Sequence, residues 1–155
     1  MQVTSTAFKQ GERIPAKFTG EGADVSPALA WTGAPAGTKS FALICDDPDA
    51  PVKEPWVHWV IWGIPPEASG LPEGVSETAK PKEVPGACQG VNGFPKTGYN
   101  GPLPPKGSGT HRYFFKVYAL DFVPSLPEKA TKKDLLKAMG KQVLGTGELM
   151  GTYSR

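Results

Sequence analysis

The chain has 155 residues, a length that suits one domain with one hydrophobic core and needs neither metal nor disulfide to hold it. Its net charge of +2 comes from 17 basic and 15 acidic residues with no basic run, which argues against nucleic acid as a partner. No stretch approaches the roughly 20 apolar residues of a transmembrane segment or the apolar core of a signal peptide, so a cytoplasmic protein is expected.

Glycine and proline, 19 and 17 residues, cluster between runs of Trp, Val, Ile, Phe and Tyr and read as the turns of a β protein. In chain order, residues 7–18 read as short strands about a turn at Gly11, and residues 28–31 as a strand leading into a Gly-rich loop. Residues 40–45 and 57–64 are continuous apolar runs, the pattern of strands buried on both faces. Residues 67–101 are polar and Gly/Pro-rich, too long for an ordinary connection, and read as an ordered excursion across the end of the sheets. HRYFFKVYALD at 111–121 is the next strong strand. A helix follows, with Thr131 as cap, Asp134 in the first turn, Leu135, Leu136 and Met139 as an apolar stripe and Gly140 as stop. Residues 148–153 close the chain as a strand. Many strands, one helix and no βαβ alternation predict a mainly β fold, a two-sheet antiparallel sandwich with short peripheral helices, over residues 1–155 as a single domain.

Chemistry concentrates at strand ends. Asp46, Asp47 and Asp49 stand among Pro48 and Pro51 directly after the 40–45 strand, where Asx turns and fixed proline angles hold carboxylates in place. Strand alternation projects His58 with Trp56, Val60 and Trp62, and His111 with Tyr113, Phe115 and Val117. Each histidine alone reads as a satisfied core residue, but the Asp turn, the His58 strand and the rigid GPLPPKGSGTHRY loop could converge on one pocket. Arg112 points the other way and should pair with Asp46 or Asp49. A metal is not favoured, because no two candidate ligands stand at i, i+2 or i, i+4, and no cofactor is expected. Cys45 and Cys88 form neither a CxxC nor a metal knuckle and read as free thiols. There is no GxSxG elbow, and the relation of Ser108 to His111 or Asp47 stays open.

DDPDAP at 46–51, PWVHW at 55–59, GYNGPLPPKGSGTHRYFFKVYALD at 98–121 and the final ELMGTYSR make the chain resemble the phosphatidylethanolamine-binding proteins, also called Raf kinase inhibitor-like proteins, nearly end to end. The resemblance implies a small anion pocket at one end of the sandwich for phosphate or phosphorylated groups. It is lined by Asp47, His58, His111 and Tyr113, with Pro51, Trp56, Pro104 and Pro105 as walls. It also implies a sharp bend before the 57–64 strand, for which a cis Glu54–Pro55 bond is expected and Ala50–Pro51 is the second candidate. The sequence ends at Arg155, before the further helix of vertebrate members, which would leave an open site that a homodimer could cover.

The leading expectation is a non-catalytic binder of a small phosphate-like anion or phosphorylated ligand. Asp47 would accept a hydrogen bond from an anion that still carries a proton, opposite His58 and His111 as donors. The alternatives are a regulator of a kinase or protease that docks through the pocket, and a hydrolase or lyase with an Asp/His acid–base pair.

Overall fold

The apolar runs at 40–45 and 57–64 become the middle of the molecule in the computed structural model, which describes all 155 residues. They form β3 (Ser40–Asp47) and β4 (Trp56–Ile64), joined antiparallel. With β6 (Cys88–Gln89), β7 (His111–Leu120) and β8 (Val143–Tyr153) they build a five-stranded sheet in the order β6-β4-β3-β7-β8. A three-stranded sheet, β1 (Gln2–Thr4), β2 (Leu29–Thr32) and β5 (Gly70–Leu71), runs in the order β1-β2-β5. Every pairing between these strands is antiparallel, as the absence of βαβ alternation predicts.

Two apolar layers explain why β3 and β4 are apolar at nearly every position. One face contributes Phe41, Leu43, Trp59 and Ile61 to a core that also holds Trp31, Phe115, Val117 and Leu149. The other presents Ala42, Ile44, Val60 and Trp62 to α1 (Lys132–Met139), which packs on them through Leu135 and Met139. Burying each such side chain contributes roughly 1.5–3 kcal/mol. A capping box starts α1: Thr131 Oγ1 accepts from the Asp134 N–H at 3.3 Å, and the Asp134 carboxylate accepts from the Thr131 N–H at 2.9 Å. Gly140, at φ 47°, ends it. Leu136 departs from the expected stripe and is 41% exposed, because an eight-residue helix lying on a sheet buries only the face of Leu135 and Met139.

Three further expectations are corrected. Residues 7–18 form no sheet strand; the segment hooks onto the edge of β8 through Gly11 N–H to Met150 O, Ile14 N–H to Thr152 O and Thr152 N–H to Glu12 O, then turns through a single 3-10 turn at Ala16–Phe18. Strand β8 begins at Val143, not 148, because its whole length pairs with β7. No peptide bond is cis, so the expected cis Glu54–Pro55 bond and its alternative Ala50–Pro51 are both trans. Eight residues, 48–55, separate β3 from β4, and that loop reverses the chain through bends and a tight Val52 N–H to Ala50 O contact of 2.7 Å without needing a cis bond.

Candidate functional site

Strand β3 lies between β4 and β7 and runs antiparallel to both, so its last residues meet the first residues of its two neighbours. Asp47 stands opposite Trp56 and Asp46 opposite Phe114. This topology alone brings Asp47, His58 and His111, 53 residues apart at the two histidines, to one end of the sheet. A β-bulge then aims His58. Cys45 pairs with Trp59 and Asp46 with Val57, which leaves His58 as an extra residue with no partner on β3. Strict alternation would send His58 with Val60 and Trp62 toward α1. The bulge turns it to the opposite side, where its ring meets Tyr113 edge-on at 5.1 Å.

The eight expected site residues surround one pocket of about 210 Å³. Asp47, His58, His111 and Tyr113 form the inner wall; Pro51, Trp56, Pro104 and Pro105 stand around it. Four further lining residues escaped sequence reasoning: Ala50 and Val52 from the 48–55 loop, Leu103 beside the prolines, and Phe94. Phe94 sits edge-on to both Trp56, at 5.5 Å, and His58, at 5.6 Å. Val52 and Leu103 are 51% and 42% exposed, so the rim is apolar and open while the inner wall is polar. No lysine or arginine lines the pocket.

Each polar group has an assigned task. Asp47, buried, accepts from His111 Nδ1 through Oδ2 at 2.7 Å and from the Asp49 N–H through Oδ1 at 2.7 Å. Both carboxylate oxygens thus hold bonds inside the protein, and the one on Oδ2 orients His111 while Asp47 still lines the pocket. His111 Nε2 meets Ser108 Oγ at 3.0 Å, and the same Oγ lies 2.6 Å from Pro105 O, which can only accept. His58 Nδ1 is 2.6 Å from Asn100 O, so the ring donates there and keeps its Nε2 toward the pocket. Burial holds the His58 pKa below the ordinary histidine value, against the opposing pull of the Asn100 carbonyl and of Asp47. Burial, with the nearby Asp47 charge, pushes the Tyr113 hydroxyl well above the usual phenol range, so it stays a neutral donor.

The support for His58 comes from the long excursion. Asn92 donates to Gly98 O and to Asn100 Oδ1, and its own Oδ1 accepts from the Phe94 N–H, folding residues 92–100 into a compact loop. Asn100 Nδ2 and the Gly101 N–H in turn donate to Asp24, at 3.2 and 2.7 Å. Gly101 has to be glycine: a Cβ there would lie 2.1 Å from Phe18 O. Arg112 leaves the pocket and forks onto Asp49, Nε to Oδ2 at 2.8 Å and Nη2 to Oδ1 at 2.9 Å, which lowers the Asp49 pKa. Asp46 takes Lys132 at 2.5 Å instead. These two pairs fix the acidic turn from outside and leave Asp47 to the pocket.

A family model described as phosphatidylethanolamine-binding protein matches residues 4–154. A UPF0098 protein of Methanothermobacter thermautotrophicus is 48% identical over 155 residues, covering all of this chain and 99% of its own. One from Aquifex aeolicus is 46% identical over 156 residues, covering all of this chain and 89% of its own. Among solved structures, E. coli YbcL, described as a new member of the mammalian PEBP family, superposes with a TM-score of 0.92 at 35% identity, over 99% of this chain and 98% of its own. A PEBP homolog from Chlamydia trachomatis gives 0.87 at 41%, over 99% and 97%.

Proposed function

Because the chain belongs to the phosphatidylethanolamine-binding protein family, we propose that its pocket binds a small phosphate-like anion or a phosphorylated group, without catalysis. The observation that carries this reading is the inner wall, where two buried histidines and a neutral tyrosine hydroxyl, from β4 and β7, converge on one space. At about 210 Å³ the pocket suits a phosphate or a head group and falls below the roughly 300–1,000 Å³ of sites that enclose larger ligands. The apolar rim of Val52, Leu103 and prolines suits an organic substituent that leaves the phosphate toward solvent. The test is titration calorimetry with inorganic phosphate and phenyl phosphate near pH 6. Saturable binding of both, lost in His111→Ala, supports the reading; no binding of either refutes it.

A second reading draws on one specific geometry. Ser108 Oγ, His111 Nε2 and Asp47 Oδ2 stand in the order nucleophile, base, orienting carboxylate, at 3.0 and 2.7 Å. Against hydrolysis, the short contact of Ser108 Oγ with Pro105 O directs the hydroxyl hydrogen away from His111. Turnover of p-nitrophenyl esters that disappears in Ser108→Ala would establish the hydrolase; its absence leaves the binder.

A further inference from the structure

An oxyanion needs donors or positive charge around it, and beyond the Tyr113 hydroxyl the wall that faces this pocket is short of both. No lysine or arginine reaches it. His58 has committed its Nδ1 hydrogen to the Asn100 carbonyl at 2.6 Å, an oxygen that can only accept. A neutral ring so held presents Nε2 as a bare lone pair, and that nitrogen makes no bond within the chain. His111 is held on both sides, by Asp47 at Nδ1 and by Ser108 at Nε2. A fully deprotonated oxyanion entering the pocket would therefore set one of its own lone pairs against that of His58 and stand beside the Asp47 carboxylate.

We infer that the pocket takes its oxyanion together with one proton, held between His58 Nε2 and a ligand oxygen. The inference rests on the binding reading above and narrows its ligand class to oxyanions that carry, or can share, a proton: hydrogen phosphate and phosphomonoesters before sulfate. Two routes give the same complex. A monoanion can donate its P–OH hydrogen to Nε2, or a dianion can meet a protonated ring; both add one proton to the dianion and the free protein. The groups that face the His58 ring decide which state the free protein rests in. Asp47 and Asp46 approach it from β3, His111 and Tyr113 from β7, and Asp24 from beyond Asn100; Phe94, on the excursion, does not titrate. The three carboxylates favour the charged ring, but burial outweighs them and leaves free His58 neutral at neutral pH.

Phenyl phosphate is a suitable probe, since a phosphomonoester has a second pKa of about 6 and is essentially a dianion at pH 8. Titration calorimetry at about pH 8 in two buffers of unlike ionisation enthalpy reads the protons taken up per ligand. The expected value is about one, and affinity should fall about tenfold for each pH unit between about pH 7 and 9. Sulfate, which brings no proton near neutral pH, should bind more weakly than phenyl phosphate at about pH 7. In His58→Gln the amide offers a non-titrating donor, and uptake and pH slope should both vanish. Equal affinity at about pH 7 and 9 with no proton uptake in the wild-type protein would overturn the inference and leave the binding reading standing. Undiminished uptake in His58→Gln would overturn the placement of the proton. Absence of saturable phenyl phosphate binding at about pH 6 would instead overturn the binding reading itself. The wild-type measurements decide the matter alone if the Gln variant does not fold.

Discussion

Asp47→Asn looks conservative and should not be. Both oxygens of Asp47 accept hydrogen bonds, from His111 Nδ1 on Oδ2 and from the Asp49 N–H on Oδ1, each at 2.7 Å. An amide has one oxygen and one NH₂: with its oxygen on the Asp49 N–H, its NH₂ faces His111 Nδ1, which has to give up its hydrogen in order to accept, and the charge-assisted pair is lost in a position where Asp47 is 3% and His111 2% exposed. Losing that charge-assisted bond removes roughly 1.5–3 kcal/mol. For a domain of this size, at about 2–4 °C per kcal/mol, the melting temperature should fall by roughly 5–9 °C. Urea denaturation followed by far-ultraviolet circular dichroism measures the loss of free energy, with Asp49→Asn as control: that residue pairs with Arg112, which is half in solvent, and the pair should contribute less than about 1 kcal/mol. A double-mutant cycle with His111→Phe should return a coupling above about 1.5 kcal/mol. If Asp47→Asn lies within about 0.5 kcal/mol of wild type, the geometry of this acceptor is misread.

The lowered His58 pKa sets a sign for acid stability. The unfolded chain binds that proton at its ordinary value near 6.5 while the folded chain resists it, so the stability it lends is complete above about pH 6.5 and drains away as pH falls toward the lowered value. His58→Phe should show a smaller loss between about pH 7 and 5.5 in the same denaturation assay. Cys45 is fully inside the core, where burial pushes its thiol pKa well up, whereas Cys88 is half-buried at the sheet edge. A disulfide thiol reagent should therefore titrate about one thiol in the native protein and two after denaturation. A Cβ at Gly93 would stand 2.8 and 2.9 Å from the Trp56 indole, so Gly93→Ala should tilt that ring, destabilise by roughly 1–3 kcal/mol and change the near-ultraviolet circular dichroism of the pocket tryptophan.

The central strands, the capped helix and the convergence of Asp47, His58 and His111 were legible in the sequence because each rests on a local pattern: continuous apolar runs, a Thr-x-x-Asp box, a turn at a strand end. The direction of His58 was not. A bulge adds one residue to one strand of a pair, and nothing in Val57-His58-Trp59 marks it, so period-two counting placed His58 on the wrong side of β4. The Asn92–Asn100–Asp24 brace was equally hidden, because its partners lie as far as 76 residues apart and its segment carries no periodicity at all. Residues 7–18 misled for the opposite reason: they do pair their backbone with a strand, but at alternate points too sparse to make a strand of their own.

That sparse pairing bears on how the molecule behaves among its own copies. A sheet edge left bare is a template for another chain, and β8 would offer one eleven residues long, beside the strand that carries His111 and Tyr113. The hook of residues 11–14 occupies the Met150 and Thr152 stretch of that edge, and Pro15 follows at once with no N–H to extend the ladder. Arg13 closes the seal by lying over the Tyr153 ring at 4.2 Å. A strand intruding at that end has to peel this segment off first, so the end of the sheet that holds the pocket is also the end guarded against runaway β association.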